Sequence, residues 1–210
     1  MGMHLGMLAV KGDVARLIDA AGTVWPHLEA GAKRTGFGSP QEAWDWHKQQ
    51  EIFVSMKNAS PDNPGADAYF FYQQGSWAVM LDAQYVLAGD TEALQALSGI
   101  FGTALSFVVE SASGTAAFCF CEAGALRREI HNADGEISTE GISLPEEKAD
   151  FSQKFYMNEV EDLMQAFGLT FDENSLLDAR AIQFFDKKDY SALLRNRAAA
   201  RPTKPWWKFW

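Results

Sequence analysis

The sequence is poor in cysteine and lacks a long hydrophobic run. Only two cysteines, Cys119 and Cys121, occur among its 210 residues. They lie two positions apart in a segment that we predict to be a strand, so their side chains share one face and are poorly placed for a disulfide. Without an apolar run of about 18 residues, no transmembrane helix is expected, and residues 1–10 lack the basic start of a secretory signal. We therefore expect a cytoplasmic protein.

The sequence also lacks the motifs that indicate catalysis or cofactor binding. Gly36–Ser39 precedes a predicted helix, but it has neither the Lys-Ser/Thr pair of a P-loop nor the third glycine of a dinucleotide fingerprint. Zinc takes about four ligands, and only His131 could join the cysteine pair, so the two cysteines are better interpreted as small buried side chains. A cysteine nucleophile would need a histidine close in space, which the sequence alone does not show. We predict no enzyme activity, no catalytic residues, no metal and no cofactor.

The charge is negative and unevenly distributed. The formal net charge is −10 in total, with −6 over residues 1–121, −10 over residues 122–178 and +6 over residues 179–210. An acidic protein is repelled by a phosphate backbone, so no nucleic-acid partner is expected. The acidic middle is either a solvated surface or an attractive surface for a basic protein.

Three β-rich segments between residues 105 and 137 organise the predicted fold. Short turns that contain glycine separate them, which is typical of an antiparallel meander. Residues 51–57, 68–73 and 77–82 predict further strands, the last two as a hairpin. With a short strand near the N terminus, the pattern predicts a single α+β domain over residues 1–197, in which helices cover a mostly antiparallel sheet of roughly five to seven strands.

Helix signals surround these strands. Three side chains are placed as N-caps: Asp13, Ser39 and Asp90. A second short helix is predicted over residues 23–29 and a loop over residues 31–40. Pro145 is expected to begin one or two helices that end at Gly168. Residues 176–185 fit a helix or a strand equally well.

Aromatic and acidic side chains supply the candidate binding residues. Trp44 and Trp46 lie on different sides of a predicted helix that also carries His47. Either both rings pack in the core, or one is exposed at a protein interface or a small pocket. Glu146 and Glu147 are candidates for an acidic contact surface.

The C-terminal segment, residues 198–210, is a basic aromatic tail that contains Trp206 and Trp207. Its prolines cannot extend a helix. Three interpretations remain open: the tail folds back on its own domain or stays disordered, it docks on a partner, or it contacts a membrane interface without stable insertion.

The meander and its flanks resemble a pattern found in small bacterial proteins. The segments that carry the resemblance are Leu97-Ser98, Phe101-Gly102, 107–114, 118–124, Leu126-Arg127-Arg128, Asp134-Gly135 and 141–146. In this pattern a strand ends in glycine, a Leu-x-Arg strand follows, and a Gly-x-x-Leu-Pro-x-Glu connector comes next. The resemblance covers residues 76–147. In this segment the chain resembles proteins that are grouped with the immunity proteins of bacterial toxin systems. It implies a small acidic α+β domain that binds a protein, and it assigns no site residue.

The sequence therefore favours a non-enzymatic bacterial protein that blocks a protein partner through an acidic surface, which would attract a basic partner. The alternative is a small-ligand-binding or sensor domain with an aromatic-lined pocket between sheet and helices. A hydrolase with an unrecognised site is the third hypothesis. A pocket with convergent polar groups would favour the alternative, and a histidine that faces a carboxylate in a cleft would favour an enzyme.

Overall fold

The computed structural model describes residues 4–190, which form one nine-stranded antiparallel sheet with helices on both faces. The α+β prediction with an antiparallel sheet is confirmed, but the sheet has more strands than expected. In chain order the strands are β1 (His4–Lys11), β2 (Leu28–Thr35), β3 (Gly65–Gln74), β4 (Trp77–Asp82), β5 (Thr103–Glu110), β6 (Thr115–Glu122), β7 (Ala125–Ala133), β8 (Glu136–Gly141) and β9 (Arg180–Asp186).

Four α-helices and one short 3₁₀ helix accompany the sheet. Side-chain oxygens cap three of the α-helices as predicted, because Asp13, Ser39 and Asp90 each accept a hydrogen bond from a backbone N–H of the first turn. The helices are α1 (Val14–Val24), α2 (Pro40–Gln50), α3 (Thr91–Phe101) and α4 (Met157–Ala166), and the 3₁₀ helix covers Glu173–Leu176.

The strands lie in the order β2-β9-β3-β4-β1-β5-β6-β7-β8. The predicted three-segment meander is confirmed as β5 to β7, which β8 extends by a fourth strand, and the predicted hairpin is confirmed as β3 and β4. The last described strand, β9, returns to pair between β2 and β3. The first strand, β1, therefore lies in the middle of the sheet, and the last described strand lies next to the edge strand β2.

The sheet separates two hydrophobic cores. Alternate residues of β1 point to opposite faces, so Met7 enters one core and Leu8 enters the other. Helices α2 and α4 cover the first core, and α1 and α3 cover the second. Cys119 and Cys121 are both buried in the second core with free thiols, and burial raises the pKa of Cys119 to about 12 and that of Cys121 to about 11. Their interpretation as small buried side chains is confirmed.

Two predictions near the N terminus are wrong. Residues 23–29 form the end of α1, a turn and the start of β2 instead of a second helix, and half of the predicted loop over residues 31–40 belongs to β2. As an edge strand with mainly exposed polar residues, β2 carries no apolar alternation that could reveal it. A Cβ at Gly31 would lie 2.5 Å from Gln183 Oε1, so a larger residue there would have to displace that side chain.

Three further segments differ from, or resolve, the prediction. Residues 51–57 form no strand beyond one isolated bridge from Ile52 to Ala66. Residues after Pro145 form turns that bury Phe151 and Phe155, and the helix begins only at Met157. The undecided segment over residues 176–185 is mainly strand β9. In each case long-range packing, which period alone does not report, determines the local structure.

Candidate functional site

A pocket of about 540 Å³ opens at the N-terminal end of β3, between the end of α1 and the loop from β4 to α3. We call it the Asp67 pocket. Its volume lies within the range of small-molecule sites. Aromatic side chains form much of its wall, and carboxylates contribute most of its ionisable groups. The aromatic residues are Trp25, Phe53, Tyr69, Phe184 and Tyr190, and the carboxylates are Glu51, Asp67, Asp90 and Asp186.

The pocket exists because β3 extends beyond its partner β4. Pairing between these strands reaches Phe70 opposite Leu81, and the chain turns away after Asp82. Residues 65–69 are therefore paired to β9 on one side only. The opened edge leaves room for a concavity that is bounded by the loop over residues 83–90.

Asp82 holds this loop in place. Its buried carboxylate accepts hydrogen bonds from the backbone N–H groups of Leu87 at 2.7 Å, Ala88 at 3.0 Å and Gln84 at 3.0 Å. Burial raises the pKa of Asp82 to about 6, although these N–H groups oppose the rise. The loop wall of the pocket is thus built around a desolvated carboxyl group.

A histidine and two carboxylates meet beside the pocket. His47 lies in the last turn of α2, Glu51 follows one turn later, and Asp67 comes from β3. His47 Nδ1 lies 3.2 Å from Glu51 Oε1, and His47 Nε2 lies 3.4 Å from Asp67 Oδ1. One ligand atom from each residue lies within 4.8 Å of the other two. We call these three residues the His47 cluster.

The imidazole ring of His47 is held rigidly between aromatic side chains. It stacks on Phe70 with 5.8 Å between ring centroids and meets the edge of Trp44 at 5.7 Å. The residue is only 2% exposed. Its orientation is therefore set by packing, as expected of a preorganised polar group.

The polar atoms of the cluster are incompletely satisfied. Among residues 4–190, no atom is placed to hydrogen-bond to the buried Nε2 of His47. Burial lowers the pKa of His47, opposed by Glu51 and the Ala68 backbone. Burial also raises the pKa of Asp67 to about 7, although its Oδ1 accepts a hydrogen bond from Ala68 N–H at 2.7 Å. An unpaired buried nitrogen costs about 1–3 kcal/mol, so such groups are uncommon unless a water molecule, an ion or a ligand completes them.

Apolar side chains surround the mouth of the pocket. Phe53 is 94% exposed, Val86 is 65% exposed, and Ile52 is also exposed. All three line the Asp67 pocket. Exposed apolar residues that gather around a concavity are typical of a binding surface.

Two other concavities have volumes of about 350 Å³ and 610 Å³. The smaller one lies beside α4, and the larger one lies beside the connector that follows β8. No buried ionisable side chain lines either of them within the described chain. We therefore take the Asp67 pocket and the His47 cluster as the candidate site.

The predicted tryptophans are half-buried on α2. Trp46 packs against Phe37 in the first core, and Trp44 packs against Phe70 and His47. The sequence placed Trp44 and Trp46 beside a histidine, and the structure brings Trp44 to the His47 cluster. The sequence-based prediction did not include Glu51 and Asp67. The four-residue spacing from His47 to Glu51 was the available signal, whereas nothing local marks Asp67.

The predicted acidic residues lie elsewhere and differ from each other. Glu146 is half-exposed beside the larger of the other two concavities. The side chain of Glu147 is 4% exposed and forms a two-pronged ion pair with Arg128, in which both hydrogen bonds are 2.8 Å long. The structure brings neither glutamate to the candidate site. The predicted residues Trp206 and Trp207, with the whole tail over residues 198–210, lie outside the described residues.

No protein-family model, curated protein or solved structure matches this chain. The resemblance to toxin-immunity proteins accordingly stays a prediction. None of the helices within residues 4–190 combines the length and apolar character needed to cross a membrane.

Proposed function

We propose that the protein binds a small molecule in the Asp67 pocket. The single observation that carries this proposal is the unpaired, buried Nε2 of His47 next to two carboxylates at the edge of an aromatic-lined pocket. The body of the ligand packs against the aromatic wall, and its polar end reaches the His47 cluster. This is the ligand-binding alternative that the sequence offered, now with a site.

The aromatic wall supports a ligand that contains a ring. Tyr69 and Phe184 pack against each other with 5.9 Å between centroids, and both belong to the second core. The indole of Trp25 is fixed by its N–H, which donates to Asp90 at 3.1 Å. Rigid aromatic walls lose little entropy when a flat ligand stacks on them. Phe53 is the exposed member of the wall, so a ligand would remove it from water.

Binding of ring-bearing fragments tests the proposal. Ligand-observed NMR, recorded with the full chain in the presence of a chelator, should identify fragments that bind. Phe53→Ser should weaken them about tenfold, since a partly buried aromatic contact contributes on the order of 1.4 kcal/mol. Ile142→Ser is the matched control, because Ile142 is similarly exposed, at 86%, but lies outside the Asp67 pocket. Fragments that bind all three proteins equally, or no binding at all, would contradict the proposal.

Protein binding is the second candidate, and the exposed apolar rim favours it. Phe53, Ile52 and Val86 would insert into a partner while the nearby carboxylates meet basic residues. The immunity-type role, the bacterial source and the cytoplasmic location that the sequence favours belong to this candidate. A basic protein retained by the wild type and by Ile142→Ser, but lost with Phe53→Ser, would support it. Equal retention by all three would exclude the rim as the contact.

A further inference from the structure

We infer that the His47 cluster binds a divalent transition-metal ion of the zinc type, with His47 Nε2, Asp67 and Glu51 as its protein ligands. The inference deepens the proposed function, because Asp67 and Glu51 also line the pocket. It does not depend on the identity of the small molecule.

The candidate ligand atoms of His47, Glu51 and Asp67 converge. One carboxylate oxygen of Glu51, one of Asp67 and one ring nitrogen of His47 all lie within 4.8 Å of one another. The two carboxylates therefore point to a common position beside the ring. Two carboxylates at this separation disfavour each other's ionised form, and a cation between them removes that cost.

The histidine does not supply this cation itself. An imidazolium needs an acceptor for each of its two N–H groups. Nε2 is buried, and no acceptor among the described residues meets hydrogen-bond geometry with it, although Asp67 Oδ1 lies 3.4 Å away. A lone pair at Nε2 is the form that binds a metal. Of the two imidazole forms, the neutral ring fits the environment.

The separation of His47 Nε2 and Asp67 Oδ1 matches that of two ligand atoms on one zinc ion. Tetrahedral zinc with bonds of about 2.0–2.1 Å places adjacent ligand atoms about 3.3–3.4 Å apart. His47 Nε2 and Asp67 Oδ1 are 3.4 Å apart. Glu51 must move closer, which its 39% exposed side chain permits without disturbing the core.

Ligand chemistry selects the kind of metal. Mg²⁺ and Ca²⁺ prefer oxygen ligands only, whereas an imidazole combined with two carboxylates suits Zn²⁺ and its neighbours. Three protein ligands leave a fourth position open, and the carboxylates that line the pocket direct it there. The polar end of the small molecule is then a Lewis base, such as a carboxylate or a thiolate.

Titration with metal tests this inference directly. The full chain without an affinity tag, freed of metal by a chelator and then dialysed, is titrated with ZnCl₂ by calorimetry and with CoCl₂ by visible absorption. We expect one Zn²⁺ site per chain, a tetrahedral Co²⁺ spectrum, and no comparable binding of Mg²⁺. His47→Phe and Asp67→Asn should each weaken Zn²⁺ binding by at least about tenfold. His131→Phe, which removes a histidine on β7, should leave it unchanged.

Glu51→Gln keeps the test interpretable if a core variant fails to fold, because Glu51 is partly exposed and follows the end of α2. It should also weaken Zn²⁺ by at least about tenfold. The inference would be overturned if the wild type showed no saturable Zn²⁺ binding. It would also be overturned if the folded His47→Phe and Glu51→Gln proteins bound Zn²⁺ as tightly as the wild type. Fragment binding is measured with a chelator present, so its failure is distinguishable from failure of the metal site.

Discussion

Two buried clusters of ionisable groups differ in how completely their atoms are paired. In the first, Arg128 donates to both oxygens of Glu147 and to the carbonyl groups of Glu140 and Gly141. Glu147 also accepts from Leu144 N–H at 2.9 Å. In the second, the His47 cluster, two carboxylates converge on a ring whose Nε2 has no hydrogen-bond partner among residues 4–190.

The difference separates a group whose hydrogen bonds are satisfied within the protein from one whose hydrogen bonds are not. Arg128 and Glu147 are saturated with protein partners, so they connect β7, the end of β8 and the connector after it without capacity for a ligand. The His47 cluster retains capacity that only something from outside the described chain can use. His47 is as buried as Arg128 and Glu147, whereas Glu51 and Asp67 are 39% and 18% exposed, so the two clusters differ in burial as well as in pairing.

The largest expected effect comes from breaking the saturated pair. Glu147→Gln removes the negative charge and leaves the Arg128 guanidinium buried without compensation. We expect a loss of about 3–5 kcal/mol in the free energy of unfolding, measured by urea denaturation. The double variant Arg128→Met with Glu147→Leu is the control and should recover most of the loss, because it removes both charges. A loss below about 1 kcal/mol for Glu147→Gln would show that the pair does not support the fold.

Asp82 is an intermediate case, since neutral N–H groups satisfy its charge. The pKa of Asp82 is raised from 3.8 to about 6, so the folded protein holds this proton more tightly than the unfolded chain does. The stabilising contribution of the protonated carboxyl is complete below the unfolded pKa and is lost as pH rises through about 6. Over the whole window the loss is on the order of 3 kcal/mol.

We therefore expect Asp82→Asn to remove part of the pH dependence of stability. Urea denaturation gives the free energy of unfolding of each protein at pH 5 and pH 7.5. Between these pH values the wild type should lose more stability than the variant, by about half of that loss. The variant should also be less stable at pH 5, because its amide nitrogen cannot accept the N–H groups that Asp82 Oδ2 accepts. Parallel pH profiles for the two proteins would contradict the assignment.

His47→Phe should have the opposite sign to Glu147→Gln. Phenylalanine keeps the ring between Phe70 and Trp44 while it removes the unpaired nitrogen. In the presence of a chelator we expect a gain of about 1 kcal/mol in the free energy of unfolding. Thermal denaturation with and without Zn²⁺ provides the second measurement, since only the wild type should gain stability from the metal. A clear loss of stability in the chelator would mean that His47 is a structural residue.

The elements that the sequence predicted correctly are those with local signals. Asp13, Ser39 and Asp90 act as caps through contacts within one helical turn, and the meander carries its own turns. Strand β2 and the irregular segment over residues 51–57 were assigned wrongly, because β2 depends on its pairing with β9 more than 140 positions away in sequence. Such pairing leaves no periodic pattern in the strand itself.

The candidate site shows the same division. His47 and Glu51 share one helical turn, so their contact could be anticipated from spacing. Asp67 reaches them only because β3 extends beyond the end of β4, which is a property of the assembled sheet. Glu146 and Glu147 are identical in sequence terms, and only the position of Arg128 opposite the connector distinguishes them.

Glu146→Lys should therefore have the smallest effect on stability and gives the sharpest contrast with its neighbour. Glu146 is half-exposed and takes no part in the Arg128 pair, so we expect a change within about 0.5 kcal/mol in the free energy of unfolding. Surface charge still governs association, so the same variant tests the predicted acidic contact surface without disturbing the fold. Reduced capture of a basic protein by Glu146→Lys, with Zn²⁺ binding retained, would place a protein contact on the connector, apart from the Asp67 pocket. Unchanged capture would leave the pocket and its rim as the binding surface, because the neighbouring charge at Glu147 is already used by Arg128.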